Sequence, residues 1–264
     1  MIPRVLSIAG SDPSGGAGIQ ADLKTIGALG GYGMAVLTAL TAQNTRGVRA
    51  VHIPPADFLA AQLRAVSDDI AIDAVKLGML HSTPLIETVG EWLDATRPPI
   101  VVLDPVMVAT SGDRLLDRRA EAAVRRLCER ADLVTPNVPE LAVLTGGTPA
   151  YDWDEAVDQA RRLAATTDAA VLLKGGHLPG PTTRDAIVTG DEVRAVTGRR
   201  LDSTSTHGTG CSLSSAMATL AASGLDWFGA LRRAKSWLTG AIEHGADLQV
   251  GGGHGPIDHF HERR

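Results

Sequence analysis

The stretch Thr206-His-Gly-Thr-Gly-Cys-Ser-Leu-Ser-Ser-Ala-Met-Ala218 joins a glycine-rich loop directly to a predicted helix. The helix is indicated by Leu213, Met217 and Leu220, whose spacing places apolar side chains on one face. Such a loop directs unpaired backbone N–H groups and the positive end of the helix dipole at one point, which favours an anion. The alternative is a glycine turn that leads into a core helix with a small buried cysteine. The remainder of the chain has to decide between the two.

Cys211 falls in the first turn of that helix. The helix field and the amides of the glycine loop favour a thiolate over a thiol and so promote a lower pKa for Cys211, whereas a bound anion would act against this shift and keep it modest. A side chain whose pKa falls toward neutral can act as a general base. The sequence therefore makes Cys211 a candidate catalytic residue.

The composition is that of a globular chain with a large core. Of 264 residues, 44% are hydrophobic and 21% are charged, and no Pro/Ser-rich linker divides them, so we expect one domain over residues 1–264. The net charge of −5 argues against nucleic-acid and membrane-surface partners. Cys128 and Cys211 provide neither a disulfide framework nor zinc-site spacing. No apolar run is long enough for a signal peptide or a bilayer span, so we expect a cytoplasmic protein.

Short apolar runs alternate with amphipathic segments along the chain. This alternation predicts a mostly parallel sheet that helices cover on both faces. A turn at Gly190-Asp191 adds an antiparallel hairpin. The longer predicted helices include residues 118–130, 153–166 and 227–244. The predicted strands are residues 5–9, 34–42, 48–53, 74–77, 100–103, 133–134, 170–173, 186–189 and 193–197.

Polar residues and glycines cluster where these predicted strands end. In open α/β sheets, ligands bind beyond the carboxyl ends of the strands, so the residues at these ends predict a site along one edge of the sheet. Each of them taken alone fits a turn or a helix cap as well as a ligand contact. The residues are Ser11, Asp12, Gln43, Asn44, Gly78, Met79, Asp104, Asn137 and Lys174.

The segment after the first strand contains a G-x-G-x-x-A match and a carboxylate of interest. The match, residues 16–21, comes too far past the strand, and no second strand ends in an acidic residue at the usual distance, which excludes a Rossmann cofactor site. Asp22 lies between Ile19 and Ile26 on the apolar stripe of the following helix. A carboxylate there needs a polar partner, either a nearby backbone N–H group or a ligand.

Several long motifs, taken as a set, resemble the hydroxymethylpyrimidine/phosphomethylpyrimidine kinases of thiamine biosynthesis, which belong to the ribokinase-like kinases. The resemblance runs nearly end to end. It implies a three-layer αβα ribokinase-like fold with a central mostly parallel sheet. It also implies Mg²⁺- and ATP-dependent phosphorylation of 4-amino-5-hydroxymethyl-2-methylpyrimidine and then of its monophosphate. The motifs are residues 9–24, Thr41-Ala-Gln-Asn-Thr45, residues 104–113, Thr135-Pro-Asn137, Lys174-Gly-Gly-His177 and Thr206-His-Gly-Thr-Gly-Cys211.

The same resemblance implies roles for individual residues. Cys211 stands where many ribokinase-like enzymes carry a catalytic Asp. The backbone of Gly208, Thr209 and Gly210 would form the anion hole for the transferring phosphoryl group. Gln43 would bond the pyrimidine edge, since an amide offers both a donor and an acceptor. The other implied roles are substrate contact for Asp22, Gly10, Met79 and Val106, ATP contact for Lys174, Asn137, Asp104 and Thr209, and magnesium binding, through water or phosphate, for Glu140 and Asp104.

Two alternative functions stay open at this stage. A pyridoxal or pyridoxine kinase of the same fold would also accept a ring-borne hydroxymethyl group, although Gln43 and Cys211 favour the pyrimidine. A non-catalytic ligand-binding regulator is disfavoured by the intact catalytic set. In each case the partners are small molecules, and a homodimer is a candidate assembly. The resemblance does not account for the nucleotide-side contacts of residues 201–205 or for the glycine-rich tail after Gly245.

Overall fold

The structure, a computed structural model, describes residues 1–108, 112 and 114–263. Residues 109–111 and 113 of the motif at 104–113 therefore lie outside the described part of the chain. The strands are β1 (Arg4–Ser11), β2 (Tyr32–Asn44), β3 (Gly47–His52), β4 (Ala74–Leu77), β5 (Val101–Leu103), β6 (Leu133–Val134), β7 (Ala170–Lys174), β8 (Thr182–Thr189) and β9 (Glu192–Arg199). The α-helices are α1 (Gly18–Ala28), α2 (Ala56–Ser67), α3 (Thr83–Thr96), α4 (Glu121–Cys128), α5 (Val138–Thr145), α6 (Trp153–Thr167), α7 (Thr209–Ala222) and α8 (Trp227–Glu243).

The strands form one sheet in the order β3-β2-β1-β4-β5-β6-β7-β8-β9. Neighbours from β2 through β7 pair in parallel, while β3, β8 and β9 are antiparallel to their neighbours. The carboxyl ends of six strands consequently meet at one edge. Between β1 and β4 the strand order reverses, which opens a crevice at that edge.

Helices cover both faces of the sheet, because buried strand residues alternate between the two sides. Leu6 and Ile8 of β1 pack in the core with α2, α3, α4, α5 and α6, whereas Val5 packs in the core with α1, α7 and α8. The predicted three-layer αβα architecture is confirmed. None of the helices in the described residues is both long and apolar enough to cross a bilayer.

Three predicted elements, two strands and one helix, have clearly different bounds in the structure. Strands β8 and β9 are longer than predicted, because pairing continues without a break from Thr182↔Arg199 to Thr189↔Glu192, through polar residues that the hydrophobic pattern does not register. The helix predicted at 118–130 begins with a 3₁₀ turn, Arg118–Ala120, and its α-helical part ends at Cys128. The Asp117 side chain accepts a hydrogen bond from the Arg119 N–H group and so stabilises that first turn.

Candidate active site

A cavity of about 830 Å³ opens at the carboxyl edge of the sheet. Its walls come from the ends of the parallel strands and from the beginning of α7. All but one of the residues to which the resemblance assigns a role line it. They are Gly10, Gln43, Met79, Asp104, Val106, Asn137, Glu140, Lys174, Gly208, Thr209, Gly210 and Cys211. Of the other strand-end residues, Ser11 and Asp12 line the cavity, whereas Asn44 and Gly78 do not.

The loop before α7 leads through a glycine directly into the helix, as the sequence predicts. Gly208 caps the helix with φ of 82°, and a Cβ atom there would lie 1.8 Å from the carbonyl oxygen of Gly16. Only glycine therefore fits, and the loop packs directly on the loop that follows β1. The Thr209 N–H group donates to the Thr206 carbonyl over 3.3 Å. The amides of Gly210 and Cys211 belong to the same first turn, where the helix itself offers no acceptor.

A buried ion pair faces this helix terminus. Lys174 Nζ at the end of β7 donates to Asp104 Oδ1 over 2.9 Å, and Thr135 Oγ1 donates to the same oxygen over 3.1 Å. Ser214 Oγ in α7 lies 3.3 Å from Asp104 Oδ2. A Cβ atom on Gly210 would be 3.7 Å from both Asp104 Oδ2 and Lys174 Nζ. A helix terminus, a cation and a carboxylate thus converge on one small volume.

The members of this pair hold each other in the charged state. Burial opposes ionisation of Asp104, yet Lys174 and Lys76 keep its pKa below the ordinary value. Burial likewise disfavours the ammonium of Lys174, while Asp104 and Glu140 raise its pKa above the ordinary value. The site therefore offers a fixed positive charge at the floor of the cavity at neutral pH.

Asn137 and Glu140 form a capping box at the start of α5. Asn137 Oδ1 accepts from the Glu140 N–H group over 2.9 Å, and Glu140 Oε2 accepts from the Asn137 N–H group over 2.8 Å. Lys174 Nζ is 3.9 Å from the same Glu140 oxygen. Burial raises the pKa of Glu140 to about 7, with Lys174 acting against the rise and Asp104 adding to it. The carboxylate thus has a helix-start role as well as a place in the cavity wall.

The structure contradicts the expected pKa of Cys211. Burial raises the pKa of this thiol to about 11; Lys76 opposes the rise, and the carboxylates of Asp22 and Asp104 add to it. The lowering that the helix field promotes is therefore not realised, because desolvation and the charges of Asp22 and Asp104 raise the pKa. The side chain nonetheless lines the cavity and is partly exposed to it.

Asp22 is the one residue with a role implied by the resemblance that does not line the cavity. Its side chain is fully buried and pairs with Lys76 Nζ at 2.9 Å. Ser7 Oγ and Ser215 Oγ also donate to it, over 2.6 Å and 2.8 Å. The prediction of substrate contact for Asp22 is corrected, because its oxygens are bonded to Lys76, Ser7 and Ser215. The charges of Lys76 and Asp22 act on the pKa of Cys211 instead.

Gln43 and Gly10 lie at irregularities of their strands. The register of β2 against β3 shifts between Ala42 and Gln43, a bulge that re-aims the side chain that follows it. Thr41 Oγ1 donates to Gln43 Oε1 over 3.2 Å. A Cβ atom on Gly10 would lie 3.1 Å from Met79 Sδ, so the two residues form one closely packed wall.

Sequence reasoning missed Lys76, although a signal for it exists. The residue lies in the strand Ala-Val-Lys-Leu, which the sequence predicts to be buried. A lysine in such a strand requires an opposite charge. Asp22, on the predicted apolar stripe of α1, likewise requires a polar partner. Matching the two unexplained buried charges would have identified the pair.

A second missed feature is the turn directly after Lys174, which an ion pair and the Arg200 side chain hold in place. Lys235 in α8 pairs with Asp185 in β8, and Asp185 Oδ1 accepts from the Gly175 N–H group over 3.0 Å. The Arg200 guanidinium donates to three backbone carbonyls of the same turn, which fixes the backbone directly after Lys174. Those carbonyls belong to Gly176, Leu178 and Gly180.

His207 and Asp12 join the two glycine loops of the site. His207 Nε2 lies 2.8 Å from Asp12 Oδ2, and the N–H and hydroxyl groups of Ser14 donate to Asp12 Oδ1 over 2.9 Å and 2.7 Å. Burial opposes ionisation of Asp12, but the bonds from His207 and Ser14 hold its pKa at about 2. The pair fixes the loop after β1 against the loop before α7.

Asp12→Asn is expected to lower stability in a pH-dependent way. Because the pKa is about 2 in the folded protein and 3.8 in the reference state, the carboxylate stabilises the fold above pH 3.8 and loses this effect as the pH falls toward 2. The shift corresponds to about 2 kcal/mol. Urea denaturation at pH 7, 5 and 3 should show the full difference at pH 7 and 5 and a smaller one at pH 3. The exposed Asp202→Asn is the control, and a loss independent of pH would contradict the assignment.

Comparisons with known proteins agree on one family. Residues 12–258 match the family model described as phosphomethylpyrimidine kinase. The chain is 54% identical over 263 residues to the thiamine biosynthesis multifunctional protein of Corynebacterium glutamicum, covering 99% of this chain and 34% of that protein. It is 48% identical over 257 residues to the hydroxymethylpyrimidine/phosphomethylpyrimidine kinase of Escherichia coli, covering 97% of each. The chain thus spans about a third of the length of the first relative.

A solved structure supports the same fold. The ADP complex of Bacillus subtilis pyridoxal kinase superposes with a TM-score of 0.90 and covers 100% of this chain and 99% of that chain. The sequence identity is 33%. Sequence similarity is therefore higher to pyrimidine kinases than to this pyridoxal kinase.

Proposed function

The chain belongs to the phosphomethylpyrimidine kinase family, and on that premise we propose that it phosphorylates 4-amino-5-hydroxymethyl-2-methylpyrimidine and then its monophosphate with ATP. These are successive phosphoryl transfers in thiamine biosynthesis, which we assign to one domain over residues 1–264 in the cytoplasm. The observation that carries the proposal is the convergence of the α7 N-terminus, Lys174 and Asp104 on one volume beside Cys211.

Phosphoryl transfer asks mainly for positioning and for neutralisation of negative charge. The first-turn amides of α7 are suited to bind the transferring phosphoryl group, and Lys174 supplies positive charge next to them. Asp104 lies 2.9 Å from the Lys174 ammonium, a contact suited to keep it charged and in place. Gln43 lies in the same cavity wall as Gly10 and Met79, which suits a small aromatic acceptor.

Cys211 is proposed to take the proton of the acceptor hydroxyl group. With a pKa of about 11, the thiolate is a minor form at neutral pH but a strong base when present. Lys76 lies beneath it and favours the thiolate, while Asp22 and Asp104 favour the thiol. Burial, together with the balance of these three charges, therefore sets how often the base is available.

The residues fit magnesium only in association with phosphate. Within residues 1–108, 112 and 114–263, no group of three or more His, Cys, Asp or Glu side chains could hold a metal. Mg²⁺ usually binds one or two carboxylates together with substrate phosphates and water. Glu140 and Asp104 are the carboxylates of the cavity wall that would serve, and the ion would neutralise phosphate charge.

The pyridoxal kinase alternative rests on the fold match to the Bacillus subtilis enzyme. It is the weaker candidate, because identity is 33% to that enzyme and 48% to the Escherichia coli pyrimidine kinase. The deciding experiment supplies MgATP with the aminopyrimidine alcohol, its monophosphate or pyridoxal, and resolves the products by mass. Phosphorylation of pyridoxal alone would overturn the proposal.

Gln43→Ala is expected to weaken binding of the pyrimidine without weakening binding of ATP. The substitution leaves the polar edge of the ring without a partner, at a cost of about 1–3 kcal/mol, or roughly 5–150-fold in KM. Steady-state kinetics with each substrate varied in turn would measure both constants. The neighbouring Asn44→Ala is the control, because the Asn44 side chain serves the turn by accepting from the Arg46 N–H group over 2.9 Å. An equal rise in KM for both substrates would show that Gln43 has only a structural role.

A further inference from the structure

The glycine-rich segment Gly251-Gly-Gly-His-Gly255, called the strap below, packs against the turn between β2 and β3. The Gly253 N–H group donates to Thr45 Oγ1 over 3.2 Å, and the His254 N–H group donates to the Thr45 carbonyl over 3.0 Å. Thr45 lies two residues after Gln43. The strap therefore holds the turn that follows the proposed ring-binding side chain.

Close backbone approach explains the glycines of the strap. A Cβ atom on Gly253 would lie 2.0 Å from the Thr45 carbonyl oxygen, and one on Gly251 would lie 2.3 Å from Thr45 Oγ1. Gly251 also has φ of 74°, which disfavours other residues. A Cβ atom on Gly252, in contrast, would meet only the end of the Arg46 side chain, at 3.0 Å. Two of the three consecutive glycines are thus required by this packing.

The other end of the strap binds the loop before α7. The Gly255 N–H group donates to the Thr204 carbonyl over 3.1 Å, and the His207 N–H group donates to the Gly255 carbonyl over 3.0 Å. The His207 side chain in turn binds Asp12, as described above. The strap therefore bridges the Gln43 side of the cavity and its anion loop.

The chain beyond the strap is anchored in the fold. Ile257 is buried in the core with α7 and α8. The Asp258 N–H group donates to the Ala241 carbonyl over 2.8 Å, and His259 Nε2 lies 3.0 Å from Ser212 Oγ in α7. Because this segment is fixed to α7 and α8, it can hold the strap, and with it the cavity walls, in a defined position.

We propose that the strap is a positioning element that fixes the Gln43 end of β2 relative to the Thr206–Cys211 loop, and so sets the affinity for the acceptor ring. The inference rests on the proposed function for its kinetic consequence. Its structural part, the coupling of two cavity walls through Thr45 and Gly255, stands on the contacts alone.

The test compares Gly253→Ala with Gly252→Ala as the matched control in the same strap. Gly253→Ala must displace the Thr45 backbone, so we expect KM for the aminopyrimidine alcohol to rise roughly 10-fold, more than any accompanying change in kcat or in KM for ATP. Gly252→Ala should match the wild type, because only a flexible side chain has to move. Thr45→Val, which removes the hydroxyl acceptor alone, should raise the same KM by roughly 3-fold.

Hydrogen exchange separates this inference from the proposed function. Faster exchange in Gly253→Ala at residues 41–48 and 204–208, but not in Gly252→Ala, supports the coupling even if the wild type phosphorylates another acceptor. In that case the KM comparison is made with the acceptor found by the product assay. Exchange that changes only within the strap, or an unchanged acceptor KM in Gly253→Ala, overturns the inference.

Discussion

Lys174→Met is expected to slow both phosphorylations by roughly 10²–10³-fold, the usual effect of removing one charge-stabilising donor from an acyl- or phosphoryl-transfer site. The ammonium lies 2.9 Å from Asp104 and close to the first turn of α7, where the transferring group would bind. Its loss removes positive charge that both steps need equally. Single-turnover rates with the alcohol and with the monophosphate would measure the two effects.

The control for this prediction is the double variant Lys174→Met/Asp104→Asn. Removing the lysine alone leaves the Asp104 carboxylate, which is 1% exposed, without its counter-ion and lowers stability. The second substitution removes that buried charge and should restore the free energy of unfolding. We expect the rates to stay low in the double variant, but because Asp104 is also a proposed magnesium carboxylate, only their recovery is diagnostic. Recovery of the rates together with stability would show that Lys174 acts only on the fold.

The fold followed from the sequence because its signals are local. Apolar strand runs and one-sided helices give the layers, and the site edge follows from parallel topology. The capping box of Asn137 and Glu140 is equally local, since both partners lie within one helical turn. Such features depend on residues that are neighbours in the chain, so a single sequence contains them.

The features that sequence reasoning missed depend on distant residues. Lys76 and Asp22 are 54 positions apart, and His207 and Asp12 are 195 positions apart. The expected direction of the Cys211 pKa shift was wrong for the same reason, because the burial and the carboxylates that raise the pKa depend on distant parts of the chain, Asp22 in α1 and Asp104 directly after β5. The strap glycines carry no local signal, since the requirement for glycine comes from contact with Thr45, which is distant in the sequence.

Cys211→Ala is expected to separate the two chemical steps. The acceptor alcohol keeps its proton at neutral pH, so the first step gains from a base, and its rate should fall by roughly 10²–10⁴-fold. The phosphate monoester has a second pKa near 6 and arrives mostly deprotonated, so the second step should fall much less. Single-turnover rates for both acceptors measure the difference. Cys128→Ala, at the fully buried second cysteine, is the matched control for loss of a thiol.

The pKa of Cys211 adds a pH dependence to the same experiment. Since burial raises this pKa to about 11, the thiolate fraction increases about tenfold per pH unit through the neutral range. The wild-type rate of the first step should therefore rise between pH 6 and pH 9, and Cys211→Ala should abolish that rise. The second step should show no such increase in either protein. Equal losses in both steps, with the pH profile retained, would mean that the side chain shapes the anion loop and takes no proton.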